Sequence, residues 1–238
     1  LGNAVIAHPL PVILFSAGLT ACGLYAASKV EVNDSRISHF RSSERIYQAA
    51  TAFDRVMDGT LYLDVVIATD QPEALYRPEN LARIEKLQRF LESLPHIRGT
   101  LSLVDYMKFM NRAMTNDDAS AFVLPDSEDL IAQYALLYSM GESNVLAHVV
   151  DNSYKTTIVR ALCNSGLFSD AKMIRDECDR YLREEFDAPG ISAHLSGRLN
   201  VDFEWMRHLE SSHFLGALIA LLTVWIMTAI GFRTWVAG

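Results

Sequence analysis

Charge is absent from both ends of this chain and crowded into its middle. Residues 1–28 hold no Asp, Glu, Lys or Arg, and neither do residues 211–232. Of the 21 basic and 29 acidic residues, all but Arg233 lie between Lys29 and Glu210. The first apolar run, Pro9–Ser28, reads PLPVILFSAGLTACGLYAAS, and the second, Phe214–Phe232, reads FLGALIALLTVWIMTAIGF. A helix needs roughly 20 apolar residues to cross a hydrocarbon core about 30 Å thick. The layout therefore predicts two transmembrane helices, 9–28 and 214–232, bracketing one water-exposed domain, and it excludes a free soluble enzyme. A signal peptide competes for the first run, because Ala26, Ala27 and Ser28 supply small residues near its end. It lacks the basic start that such a segment needs. The missing initiator Met and the abrupt ends suggest a piece of a longer protein.

The middle stretch suits one domain or two small ones. A net charge of −8 disfavours nucleic acid and anionic lipid surfaces as partners. Three cysteines, Cys22, Cys163 and Cys178, do not make a disulfide framework. Cys163 and Cys178 are expected to be buried thiols, or a pair in an oxidising compartment. Arg233, directly after the second run, points to a cytoplasmic C-terminus and a middle domain outside.

Local patterning predicts two β-α-β units. Leu61–Thr69 (LYLDVVIAT) alternates as a strand, with Leu61, Leu63, Val65 and Ile67 on one face and Asp64 solvated on the other. Leu81, Ile84, Leu87, Leu91 and Leu94 form a helical stripe that Pro95 ends. Ile97–Leu103 is a second strand. Lys155–Cys163 is a third, followed by a helix with Ser169 as its expected N-cap. Pro189-Gly190 then turns the chain into a fourth strand, Ile191–Gly197. The fold class is α+β: a ferredoxin-like split βαβ domain over 29–198. A helical insertion occupies 104–140, with helices over Val104–Met114 and from Pro125-Asp126 to Gly141, joined by a polar loop at 115–121. From Leu199 the spacing of Leu199, Phe203, Met206 and Leu209 predicts a connecting helix over 199–213 that continues into the second run.

Several strings, in this order, resemble one family. These are SSERIYQAATAF at 42–53, LYLDVVIATD at 61–70, LQRFLESLPHIRGTLSLVD at 87–105, LPDSEDLIAQYALLY at 124–138, and Phe232-Arg233-Thr234 closing the second run. Together they are similar to a half-unit of the resistance-nodulation-division (RND) transporters, in particular the MMPL-like exporters with a sterol-sensing-type membrane region. The resemblance implies a periplasmic porter domain, a multi-pass inner-membrane location and a second half-unit as partner. It also implies proton-driven export of hydrophobic or lipid-like molecules, with coupling carboxylates in spans beyond those seen here. Two other readings stay open. One is a two-span sensor with an extracytoplasmic ligand-binding domain, and the other is a sterol-sensing-type lipid receptor.

Residues that could carry chemistry are few. No G-x-S-x-G elbow, phosphate loop or G-x-G-x-x-G string occurs, so neither catalysis nor a cofactor is expected. His208 and His213 are five apart, a poor spacing for one helical face, and with His194 they are not expected to hold a metal. Glu210 and His213 at the edge of the second run could sense protons, or serve as wet anchors. Gly18 and Cys22, four apart, could form a close-packing face in the first span. Met107, Met110 and Met114 are the candidate substrate-path residues, since flexible thioethers suit a lipid-like ligand; a place in the core is the competing reading.

Overall fold

The computed structural model describes residues 9–27, 36–56, 59, 61–141 and 145–233. It forms two compact units, divided near residue 33. In the first, helix α1 spans Pro9–Ala27. Its Leu10, Leu14, Phe15 and Leu19 side chains are exposed.

In the second unit a 3₁₀ turn at Arg36–His39 precedes helix α2, Arg45–Val56, and strand β1, Leu61–Thr69, follows. Leu63, Val65 and Ile67 recur at the period of two that a strand requires, and all three are fully buried. Helix α3, Pro78–Ser93, starts on a proline whose missing N–H costs nothing in a first turn. It buries Leu81, Ile84, Leu87 and Leu91 against the sheet. Strand β2 follows at Ile97–Leu101.

The insertion comprises helix α4, Leu103–Met114, and helix α5, Glu128–Ser139. Strand β3, Thr156–Cys163, leads to helix α6, Phe168–Tyr181, which widens into a π-helical turn at Leu182–Phe186. Strand β4 is Ile191–Ser196, and helix α7 runs unbroken from Gly197 to Phe232.

The sheet order is β2-β3-β1-β4, every neighbouring pair antiparallel. Each β-α-β unit therefore has a strand of the other unit between or beside its own, which is the split arrangement expected from the sequence. Val65 sits opposite Val159 in the centre, and Thr69 opposite Ile191 at the far end. Phe90 of α3 stacks on Tyr181 of α6 at 4.1 Å between ring centroids, and Arg83 donates to the Phe186 carbonyl at 2.7 Å. Those contacts join the two helices that cover the sheet.

Three local expectations need correction. Asp64 is not solvated: it is only 8% exposed, because the β1–β3 register puts Arg160 directly opposite it. Ser169 does not cap α6; the helix starts at Phe168 with Leu167 as N-cap. The Phe168 ring stacks on Phe203 at 5.0 Å, and Ser165 Oγ accepts the Leu167 N–H at 3.3 Å, so the first turn is set by packing upstream of Ser169. Helix α5 starts after Ser127, whose hydroxyl accepts from the Leu130 N–H, rather than at Pro125-Asp126. Ile131, Tyr134 and Ala135 make up the buried face of α5, and Leu137 is exposed. Cys163 and Cys178 are buried and free.

Among the described residues, no helix is long and apolar enough to cross a membrane.

Candidate functional site

The passage from β4 to α7 has no loop: Ser196 ends the strand and Gly197 starts the helix. Gly197 has φ of 82°, and a Cβ there would lie 2.6 Å from the Asp64 backbone nitrogen and 3.1 Å from the Tyr62 carbonyl. Only glycine lets the chain turn so sharply while touching β1.

On the same side of β1, Asp64 accepts two bonds from Arg160, Nε to Oδ1 and Nη2 to Oδ2, both 2.8 Å. The Arg160 guanidinium also lies 4.4 Å above the Tyr62 ring. Hydrogen bonding to Asp64 holds this guanidinium in its charged form even more firmly than usual.

The first turns of α7 are clamped by α6. Leu199 and Phe203 are buried, and Phe203 stacks on Phe168. Arg175 reaches across three ways. It bonds Asn200 Oδ1 from Nε at 3.2 Å, pairs with Glu204 Oε1 from Nη2 at 2.9 Å, and lies 4.7 Å over the Phe203 ring. A small apolar cavity of about 50 Å³ remains beside Leu61, Phe168, Leu199, Phe203 and Met206, with an exposed Trp205 at its rim. The joint is mechanical in kind: it fixes the direction in which a long helix leaves a sheet.

A larger cleft, about 280 Å³, opens between α5, the 3₁₀ turn Val145–His148 and two tyrosines. Ala132, Ala135, Leu136, Leu146 and Val150 supply its apolar wall. Tyr76 and Tyr154 sit with ring centroids 4.6 Å apart. Burial, with Tyr154 and Glu73 adding to it, pushes the Tyr76 phenol up to about 12, and burial raises Tyr154 as well. Both are neutral donors at physiological pH. Asp151 closes one end, accepting from Ser153 and from the Lys155 and Thr156 amides. With Ser139, Asn152 and the two tyrosines also lining it, the accessible surface of the cleft is more polar than apolar.

The insertion is tied down by polar contacts that sequence reading missed. Ser102 caps α4 through the Val104 N–H at 3.1 Å, and Asp105 reaches back to the Ser102 N–H at 2.7 Å. The buried Gln88 joins both, accepting from Ser102 Oγ at 3.0 Å and donating to Asp105 at 2.8 Å. The S-x-x-D string was the available signal, and its role here is a capping box. Lys108 of α4 pairs with Glu85 of α3, which Arg89 also contacts at 3.0 Å.

The three methionines are graded along α4. Met107 is fully buried in the core, Met110 is half-buried against it, and Met114 is exposed. None of them lines the two cavities above. The side chains of Glu210 and His213 lie outside those described. Among the described residues, no three His, Cys, Asp or Glu side chains converge as a metal set would.

No protein-family model matches the chain, and no curated protein matches it.

Proposed function

We propose that this chain is part of an RND-type membrane transporter that exports hydrophobic or lipid-like molecules, driven by the proton gradient through other spans. The observation that carries the reading is α7, a single helix of 36 residues. It starts inside the split βαβ domain and continues through the uncharged run 214–232. Along that run Leu218, Ile219, Leu222 and Val224 are exposed, so the described residues leave about half or more of each side chain uncovered. The two spans are read from the uncharged runs as sequence, which include side chains outside the described set. An inner-membrane location, a periplasmic domain and a second half-unit as partner complete the proposal.

A helix clamped at one end to a sheet transmits rotation or tilt of that sheet along its length. In a transporter the domain moves with the membrane bundle, and the clamp by Arg175 and Gly197 is the part that couples them. The same continuous helix also favours the two-span sensor, in which ligand binding in the Tyr76–Tyr154 cleft would be passed through the membrane.

The test is efflux. Cells carrying the intact gene should clear a lipophilic fluorescent probe faster than cells with the gene deleted, and a protonophore should abolish the difference. Equal efflux in both strains, with a transcriptional or phosphorylation response that needs the gene, would select the sensor instead.

A further inference from the structure

Helix α2, Arg45–Val56, is amphipathic, but among the described residues its apolar side is largely uncovered. At 100° per residue, Val56, Ala49, Phe53, Ile46 and Ala50 fall within an arc of about 120°. Arg45, Tyr47, Gln48 and Thr51 occupy the rest of the wheel. Helix α3 has a comparable stripe and buries it completely. In α2, Ile46 is 52% exposed, Phe53 is 53% and Val56 is 79%. The helix makes no substantial packing contact with any other described element.

We propose that α2 lies in the bilayer surface as an interfacial helix, its apolar arc among the lipid chains and its arginines at the headgroups. The inference rests on the membrane reading above. Two features favour lipid over a second copy or a protein partner. The first is charge. Residues 36–56 hold four arginines against two carboxylates, a local excess of positive charge in a chain of net −8. The acidity that disfavours an anionic surface for the whole chain is therefore absent from this segment. The second is the tether. Only residues 29–44 separate α2 from the uncharged run that ends at Ser28, a stretch spanning at most about 55 Å when extended. A helix with one Phe, one Ile and one Val on its apolar arc inserts only shallowly, roughly 5–10 Å. Such weak binding suffices when a neighbouring span already holds the segment near the membrane. The helix would then fix how the domain sits over the bilayer.

The test is depth-resolved fluorescence on the full chain in phosphatidylethanolamine–phosphatidylglycerol vesicles. Cys163 and Cys178 are buried, and burial raises both thiols, so only Cys22→Ala is needed as background. Single cysteines at Phe53 and Thr51 carry a polarity-sensitive dye, with Leu14 and Leu222 as span controls. We expect the Phe53 dye to be blue-shifted and quenched roughly twofold more by shallow doxyl-lipid than the Thr51 dye. If Leu14 and Leu222 are quenched but Phe53 no more than Thr51, the interfacial helix is wrong and the membrane reading survives. A blue shift at Phe53 without lipid quenching means that protein covers α2, and also overturns the proposal. If Leu14 and Leu222 are not quenched either, both readings fall.

Discussion

Asp64 and Arg160 lie 96 residues apart in sequence and face each other across the centre of the sheet, joined by two parallel hydrogen bonds of 2.8 Å. Removing the guanidinium leaves a carboxylate only 8% exposed without its partner. Arg160→Ala should therefore destabilise the domain by about 1–3 kcal/mol. The lower half of that range is expected, because the Arg160 side chain is more than a third exposed and water screens the pair. Thermal unfolding of the purified chain in detergent, followed by circular dichroism, measures it. An unchanged midpoint would mean that water replaces the arginine at no cost.

Gly197 and Gly99 offer a paired test of the joint. A Cβ at Gly197 would meet the backbone of Asp64 and Tyr62 on a left-handed φ, whereas a Cβ at Gly99 meets nothing within 4 Å. Gly197→Ala should cost about 1–3 kcal/mol from strain alone, before the clash is added. Gly99→Ala should be tolerated. If the transporter reading holds, Gly197→Ala should also reduce efflux by more than it reduces the amount of folded protein in the membrane. Equal losses in both would reduce Gly197 to a structural residue.

Burial would raise the Glu85 carboxyl, but hydrogen bonds and charge from Lys108 and Arg89 outweigh it and hold the group below its ordinary 4.5. A carboxylate whose folded pKa is depressed adds stability above its unfolded pKa and loses it as pH falls through the folded value. The tie between α3 and the insertion should thus weaken below about pH 4.5 and not in the neutral range. Melting curves between neutral pH and pH 3 should show a steeper acid loss for the native chain than for Glu85→Gln. Parallel curves would show that Glu85 contributes nothing in acid.

Sequence periodicity read elements well and their partners poorly. Leu61–Thr69 was legible to the residue, because β-branched side chains alternate there between turn-forming flanks. Two β-α-β patterns in succession pointed to one four-stranded sheet, and the structure supplies its order, β2-β3-β1-β4. What periodicity cannot see is a contact set by register. Asp64 read as solvated because its partner lies on a strand 96 residues away. Gly197 read as the end of a strand because a positive φ leaves no trace in composition. Ser169 is a good capping residue placed two positions too late, where the Phe168–Phe203 stack had already started the helix. The tyrosine-lined cleft was missed altogether, since Tyr76 and Tyr154 are distant in sequence and meet only through the fold.

Met107, Met110 and Met114 recur at spacings of three and four, which place them on one side of α4 without saying whether that side meets core or ligand. The gradient of burial separates them. Met110→Lys would bring a charge to a half-buried position and should impair efflux if the insertion lines the substrate route. Met107→Lys should instead prevent folding, because the charge would be fully buried. Efflux at the native level from folded Met110→Lys protein would remove the insertion from the path.

Leu199–Ser212 is the stretch of α7 between the sheet and the uncharged run. Its first turns are held by Phe203 stacking and by the three contacts of Arg175. Beyond them Arg207 pairs with Glu204 at 2.6 Å. A helix stabilised at its base and continuous beyond it should open only by unwinding from that base, so its amides should exchange slowly and as one block. Hydrogen exchange by mass spectrometry on the full chain in detergent or vesicles resolves this directly. Protection across Leu199–Ser212 close to that of β1 is the expected result. Arg175→Ala should then raise exchange in the same block while leaving β1 unchanged. Fast exchange there in the native chain would make the stretch a hinge, and neither a pump nor a sensor could be coupled through it as a rigid lever.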